Sequence, residues 1–261
     1  MHDGPSRGLL AITHTPPLAL ERGERTFVSR APIDFALALE QHAGYCALLA
    51  RCGARVVTLD VNRAHADAVF VEDTAVVLDE LAVMASPGAK SRRAEPPGIE
   101  RELRKYRDVR RIQLPATLDG GDVVVAGRTI FVGASARTND AGARALGDFT
   151  APFGYRVVRV PLRDCLHLKS ACCALPDGRL LVNPAWLDAA PLDGYTLVDI
   201  PPGEPFGADF ATVGGAVIVS ASNPRTAGML TGLGFAVRAT PLSEFEKAEG
   251  GVTCLSIIFR E

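Results

Sequence analysis

DFATVGGAVIVSASNPRTAGMLTGLGFAVRAT, residues 209–240, holds two short apolar runs, a helix-prone segment and a third β-rich run, in that order. Gly214-Gly215 separates the first two runs, a pair suited to the tight turn of a hairpin. PRTAGMLTGL then has helical character. Gly234 stands where a left-handed residue ends such a helix, just before AVRAT at 236–240.

Working outward, the same ingredients recur. RVVTL starts at Arg55, RRIQL at Arg110, RVVRV at Arg156, TLVDI at Thr196 and AVRAT at Ala236, roughly 40 to 55 residues apart. Gly53, Gly154, Gly194 and Gly234 stand just before four of these runs. After each run come a loop and a hairpin-like pair, as in AVFVEDTAVVLDELAVMAS, DVVVAGRTIFVGAS and CCALPDGRLLVNP. The fifth hairpin is incomplete at GVTCLSIIF, and GLLAITHT near the other end can supply its missing partner. A unit of strand, loop, hairpin and helix repeated five times fits a closed α/β ring with pseudo-fivefold symmetry, sealed by the two terminal strands. On periodicity alone an ordinary open α/β sheet fits as well. The G-x-G of Gly232 and Gly234 precedes a strand, the reverse of the order in a dinucleotide fingerprint.

Composition sets the outer limits. The chain has 261 residues, 48% of them hydrophobic and 22% charged, which is the make-up of a compact folded protein. We read it as one catalytic domain over 1–261. A formal net charge of -2 gives no electrostatic case for nucleic acid or an anionic membrane. MHDGPSRGLLAITHTPP lacks a signal-peptide pattern, and no apolar run reaches the ~18 residues of a membrane span. The expected location is therefore the cytoplasm, where the six cysteines stay reduced. None is spaced for zinc, since Cys172 and Cys173 are adjacent and no C-x-x-C pair exists. The expectation is no metal and no cofactor.

Unusual polar residues fall in the loop before each hairpin: Asp67, Glu72 and Asp73; Asp119 and Asp122; His167 and Lys169; Asp209; Glu249 and Cys254. In a closed ring, equivalent loops converge on the axis. One cysteine, one histidine and several carboxylates would then share a pocket suited to a cationic substrate. A thiolate is the nucleophilic form of cysteine, and a nearby histidine or the cation itself favours it. Carboxylates pair with a guanidinium through forked hydrogen bonds and fix its carbon over the sulfur. His167 can protonate a departing amine and then take a proton from water. Taken singly, each has a plainer reading: a buried thiol, a satisfied histidine between Leu166 and Leu168, carboxylates capping turns.

At these residues the sequence resembles the dimethylarginine dimethylaminohydrolase family of the guanidine-modifying superfamily. The resemblance runs over nearly the whole chain, on ALEQH (38–42), DAVFVED (67–73), PGAKSRR (87–93), TLDGGDV (117–123), FVGASARTN (131–139), LHLKS (166–170), NPRT (223–226) and EGGVTCLS (249–256). It implies a five-bladed α/β propeller, the pentein fold. It further implies Cys254 as nucleophile, His167 as acid and base, and Asp73 and Asp119 on the guanidinium, with Glu72 close by. Arg92 and Arg137 would grip the substrate's α-carboxylate, and Asp67 and the backbone of Ala248 its α-amino group. The implied reaction turns asymmetric dimethylarginine or monomethylarginine into citrulline and a methylamine through an S-alkylthiouronium, without cofactor or metal.

Two features depart from the family pattern. Asp119 replaces the longer glutamate of some bacterial relatives. ALERGERTFVSRAP (19–32) stands where the family has a flap with an apolar leucine, and Leu20, Glu24 and Arg25 are the candidates for covering the substrate. Competing readings are an arginine or agmatine deiminase-type hydrolase and a non-catalytic propeller that binds a partner. The expected partner is a small methylarginine, with the chain a monomer or a homodimer.

Overall fold

The computed structural model describes residues 8–261. Residues 1–7 of the stretch read above for a targeting signal lie outside the described residues. Five three-stranded sheets follow one another, all with one internal topology. They comprise β3 (Ala75–Val77), β4 (Ala82–Met84) and β5 (Val109–Arg111), then β6 (Val123–Ala126), β7 (Thr129–Ala134) and β8 (Arg156–Pro161). The next two sheets contain β9 (Cys172–Ala174), β10 (Leu180–Val182) and β11 (Leu197–Asp199), and β12 (Phe210–Val213), β13 (Ala216–Ser220) and β14 (Ala236–Thr240). In each, the first two strands form an antiparallel hairpin and the third runs parallel to the second.

The fifth sheet joins the two ends of the chain. β15 (Ile257–Arg260) runs antiparallel to β1 (Leu9–His14), with Leu9 opposite Arg260 and Ile12 opposite Ile257. β2 (Ala54–Leu59) completes it, parallel to β1. The ring is therefore the five-bladed α/β propeller, closed by the terminal strands as expected. The first strand of each sheet faces inward, β15 lying against β3 and β6 against β9.

A parallel third strand needs a crossover. Four sheets use a helix for it: α1 (Phe35–Arg51), α2 (Pro96–Leu103), α3 (Asp140–Thr150) and α5 (Pro224–Gly232). The shorter α4 (Leu168–Ala171) and α6 (Ser243–Glu246) lie in loops. Gly53, Gly154, Gly194 and Gly234 all have positive φ, the conformation that turns the chain into the following strand. The β-rich runs that open each unit in the sequence thus pair backwards, with the hairpin before them. RRIQL is strand only to Arg111, although the Ile112 N–H still bonds the Met84 carbonyl at 3.0 Å.

α1 buries Ala38, Gln41, His42, Tyr45, Leu48 and Leu49 along one face, and Asp34 caps it by accepting the Leu37 N–H at 3.1 Å. Fully buried Tyr45 donates to the Val252 carbonyl at 3.1 Å and bonds Ser256 Oγ at 2.7 Å. The longest helix is thereby tied to both sides of the turn that carries Cys254. No helix among the described residues is long and apolar enough to cross a membrane.

The packing of α3 gives a paired prediction. A Cβ built on Gly142 would overlap the Thr117 carbonyl, lying 2.7 Å from its carbon, whereas one on Gly44 in α1 meets nothing within 4 Å. Gly142→Ala should destabilise the protein by about 2 kcal/mol, and Gly44→Ala should stabilise it by about 0.5–1 kcal/mol. Denaturant midpoints moving in the same direction would contradict this packing.

Candidate active site

Each candidate loop residue sits just before the innermost strand of its sheet. Asp73 lies in the 3-10 turn Val71–Thr74 that enters β3, and Asp119 precedes the turn Gly120–Asp122 that enters β6. His167 precedes α4 and β9, Asp209 precedes β12, and Cys254 lies in the turn Thr253–Leu255 before β15. The five loops converge at one end of the ring, and the electrostatics follow from that convergence.

Asp73 is the most connected group. Its Oδ1 accepts the Gly121 N–H at 3.0 Å and lies 3.7 Å from His167 Nδ1, while its Oδ2 is ion-paired with Arg92. Burial alone would raise this carboxyl, but His167, Arg92 and the Gly121 N–H together hold it down at about 2. His167 is caught between two acids, its Nε2 3.2 Å from Asp119 Oδ2. Burial opposes its charge, yet Asp73, Asp119 and Asp122 outweigh that and lift the imidazole to about 9. His167 is thus an imidazolium at neutral pH. Gly121 makes this approach possible, for a Cβ there would lie 2.7 Å from both Asp73 Oδ1 and His167 Nδ1.

Cys254 Sγ accepts the Gly251 N–H at 3.4 Å. Burial, then the charges of Asp209, Asp73 and Glu72, push its thiol well above the ordinary range, so the unliganded site holds a neutral thiol. Asp73 therefore acts on both Cys254 and His167. Asp209 braces the turn that carries Cys254, accepting the Thr253 N–H at 2.9 Å and its hydroxyl at 3.3 Å. Burial, reinforced by the charge of Glu72, raises this carboxyl to about 7. Glu72 pairs with Lys169 Nζ at 2.5 Å through one oxygen, and its other oxygen is buried without a partner.

The two arginines differ. All three guanidinium nitrogens of Arg92 are engaged: Nε with Glu95, Nη1 with Asp73, and Nη2 with Glu95 at 2.8 Å and the Phe70 carbonyl at 2.9 Å. Arg92, to which the resemblance assigns a grip on the substrate's α-carboxylate, thus has every guanidinium nitrogen engaged by the protein. The Arg137 guanidinium makes no hydrogen bond to the described residues and approaches only Asp119, at 3.7 Å. Asp67 accepts the Glu24 N–H at 3.1 and 3.2 Å, and the Ala248 carbonyl accepts no hydrogen bond among the described residues. Of the flap candidates, Leu20 is buried in the core with Phe70 and Phe245, and Glu24 is exposed. Arg25 is partly covered.

Sequence reasoning missed Glu95, the buried partner of Arg92. Only its i, i+3 spacing from that arginine marks it. Asp209, Lys169 and Asp122 were visible as loop residues but had no role. Asp73, Asp119 and His167 bring one ligand atom each within 4.8 Å of one another, a spacing that fits a metal ion. A metal there would have to strip His167 of its proton and compete with Arg92 for Asp73. A delocalised organic cation fits the set better.

Fold and site together define an α/β propeller with a cysteine, an imidazolium and paired carboxylates at one end of its axis, the class that modifies guanidines. The family model for eukaryotic N,N dimethylarginine dimethylhydrolase matches residues 25–171. The N(G),N(G)-dimethylarginine dimethylaminohydrolase of Streptomyces coelicolor is 41% identical over 253 residues, covering 96% of this chain and 97% of that one. The Pseudomonas aeruginosa enzyme, solved as a cysteine-to-serine mutant complexed with citrulline, superposes with a TM-score of 0.91. It is 32% identical, with 97% of this chain and 100% of that one covered. A dimethylarginine dimethylaminohydrolase adduct with S-methyl-L-thiocitrulline gives 0.90 at 32% identity, over 95% and 98% of the two chains. The chain belongs to the dimethylarginine dimethylaminohydrolase family.

The position of His167 predicts a titration. Its proton is held more tightly in the fold, at about 9, than at the ordinary 6.5, so the pairing stabilises the fold fully below pH 6.5. That contribution is lost as pH rises through about 9. Asp119→Asn should move the His167 ring titration, read by NMR, to lower pH. It should also reduce the stability lost between pH 6 and pH 10. An unmoved titration would contradict the Asp119 contact.

Proposed function

We propose that this chain hydrolyses Nω-methylated arginines, asymmetric dimethylarginine and monomethylarginine, to citrulline and a methylamine. The observation that carries the reading is His167 held between Asp73, 3.7 Å away, and Asp119, at 3.2 Å, with Asp73 also among the charges acting on Cys254. A guanidinium entering beside Asp73 and Asp119 brings a positive charge to a pocket whose carboxylates hold the thiol neutral. Its arrival favours loss of the thiol proton to solvent, since His167 is already protonated. Cys254 Sγ then bonds the guanidinium carbon, and His167 delivers its proton to the departing dimethylamine or methylamine as the C–N bond breaks.

The resulting S-alkylthiouronium remains cationic and stays paired with the carboxylates. His167, now neutral, takes a proton from water. The hydroxide adds to the same carbon, the C–S bond breaks, and citrulline leaves with the thiol restored. Glu72 belongs to this acidic wall. Arg137 is the open fork for the α-carboxylate, and Asp67 with the Ala248 carbonyl receives the α-amino group. Arg92 serves the substrate by fixing Asp73 in its ionised form, and it reaches a carboxylate only by giving up a present partner. No step in this scheme draws on a metal or cofactor, and the substrate is a free small molecule. Six free cysteines accord with a cytoplasmic enzyme.

The deiminase-type alternative differs in leaving group. Agmatine lacks the carboxylate that Arg137, paired only loosely with Asp119 at 3.7 Å, invites. The decisive assay is citrulline release from asymmetric dimethylarginine, with arginine and agmatine in parallel. Dimethylarginine should be turned over and the activity lost in Cys254→Ser. Turnover of arginine or agmatine alone would reassign the substrate. Arg137→Ala should raise KM for dimethylarginine at least tenfold with a smaller effect on kcat, and an unchanged KM would remove Arg137 from the clamp.

A further inference from the structure

The turn that carries Cys254 is fastened to one buried carboxylate. Asp209 Oδ1 accepts the Thr253 N–H at 2.9 Å, and its Oδ2 accepts the Thr253 hydroxyl at 3.3 Å. The same hydroxyl oxygen stands 4.0 Å from Cys254 Sγ. Thr253 has a single hydroxyl proton, and an ionised Asp209 can only accept it. Cys254 therefore meets the lone pairs of Thr253 Oγ1, and the thiol is the donor across that contact. Gly251 touches both ends of the chain of groups. Its N–H points to Sγ at 3.4 Å, and a Cβ built on it would lie 2.1 Å from Asp209 Oδ2. Asp209 pairs with no cation among the described residues, for Lys169, whose charge reaches it, is paired with Glu72. A buried carboxylate without a counter-charge is a ready acceptor of a proton.

His167 enters the reaction already protonated, so the thiol proton needs another acceptor. We propose that Asp209 is that acceptor, reached through the Thr253 hydroxyl, and that the proton passes to it before it reaches solvent. As the guanidinium arrives, the S–H bond breaks and Thr253 Oγ1 takes the proton while releasing its own to Asp209 Oδ2. Sulfur becomes a thiolate facing the Gly251 N–H, Asp209 becomes a neutral carboxyl, and the net charge is unchanged. Catalytic contacts are often long in an unliganded site and tighten in the complex. Once sulfur has bonded the guanidinium carbon, Asp209 gives its proton to water. It lines a cavity of about 40 Å³ with Ser170, Asn223 and the half-buried Glu246 and Glu249, which gives that proton a polar way out. The hydroxyl proton of the later adduct restores the thiol as citrulline leaves. The inference rests on the methylarginine reading and adds to it the path of the thiol proton.

The test compares the wild type with three variants. Asp209→Asn keeps the size and an acceptor for the Thr253 N–H, Thr253→Val removes only the hydroxyl, and Thr253→Ser restores it. The charges acting on Asp209 are those of Glu72 and Lys169, and it acts in turn on Tyr45, Cys173 and Cys254. Its carboxyl ionises at about 7, so kcat/KM for asymmetric dimethylarginine should show an inflection there. Asp209→Asn should lose that inflection and lower kcat at least tenfold. Thr253→Val should lower kcat as much, and Thr253→Ser should recover to within threefold of the wild type. The same inflection is read without methylarginine by alkylating Cys254 with the cationic reagent chloroacetamidine across the pH range, quantified at Cys254 by mass spectrometry. A carboxylate that only repelled the thiolate would make Asp209→Asn alkylate faster at pH 8, whereas a lost acceptor makes it slower. Faster alkylation, an inflection retained in Asp209→Asn, or an unchanged kcat in either Asp209→Asn or Thr253→Val overturns the proposal. If the wild type turns over no dimethylarginine, yet Asp209→Asn alkylates more slowly and without the inflection, the relay stands and the methylarginine reading fails.

Discussion

The buried carboxylate of Asp73 is the constraint around which the site is built. An isolated charge at that depth would take up a proton rather than remain ionised. It stays ionised because Arg92, His167 and the Gly121 N–H surround it. Each of those partners is fixed in turn: Arg92 by Glu95 and the Phe70 carbonyl, His167 by Asp119, and Gly121 by the turn entering β6. Removing Asp73 would leave an imidazolium and a guanidinium facing each other without their common counter-charge. After burial and Asp209, the same carboxylate also raises the Cys254 thiol, so Cys254 and His167 are both pushed toward their protonated forms.

The ring makes that sharing possible. Asp73, Asp119, His167, Asp209 and Cys254 are spread over more than half the chain, yet each precedes the inner strand of its own sheet. A closed ring brings five such positions to one end without long loops. Antiparallel pairing of β1 with β15 completes the fifth sheet, and Tyr45 clamps α1 against both sides of the nucleophile turn. The terminal strand therefore matters chemically: it holds the last of the five loops, and with it Cys254, at the axis.

Much of this was legible in the sequence. Hairpin glycines, left-handed glycines before the third strands and alternating apolar runs mark the five units, and the loop acids, His167 and Cys254 mark the site. The phase of the unit was not legible, because a β-rich run can pair with the hairpin before or after it, and only the crossover decides. Nor was the Arg92–Glu95 pair, since Arg92-Arg93 reads as an exposed doublet until burial turns one of them inward. LDGGD reads as a turn signal; in the fold its second glycine also gives the clearance that lets Asp73 and His167 meet. These are all properties of long-range packing, which local pattern does not encode.

The electrostatic balance of the pocket gives the strongest physical argument for a cationic ligand. Burial drives Asp67, Glu72, Asp122 and Asp209 upward despite the cations near them, so a further cation beside them would favour their ionised forms. Arg92 is spent on Asp73 and Glu95, and Lys169 on Glu72. A guanidinium entering beside Asp73 and Asp119 supplies the missing charge where the thiol needs it. It does so with planar, directional donors that a compact ammonium or a metal ion lacks. In the proposed reaction, the thiol that burial and the carboxylates keep protonated would ionise when that cation arrives. On that reading, selectivity for a cation and protection of the thiol share one origin, the burial of Cys254 among Asp209, Asp73 and Glu72.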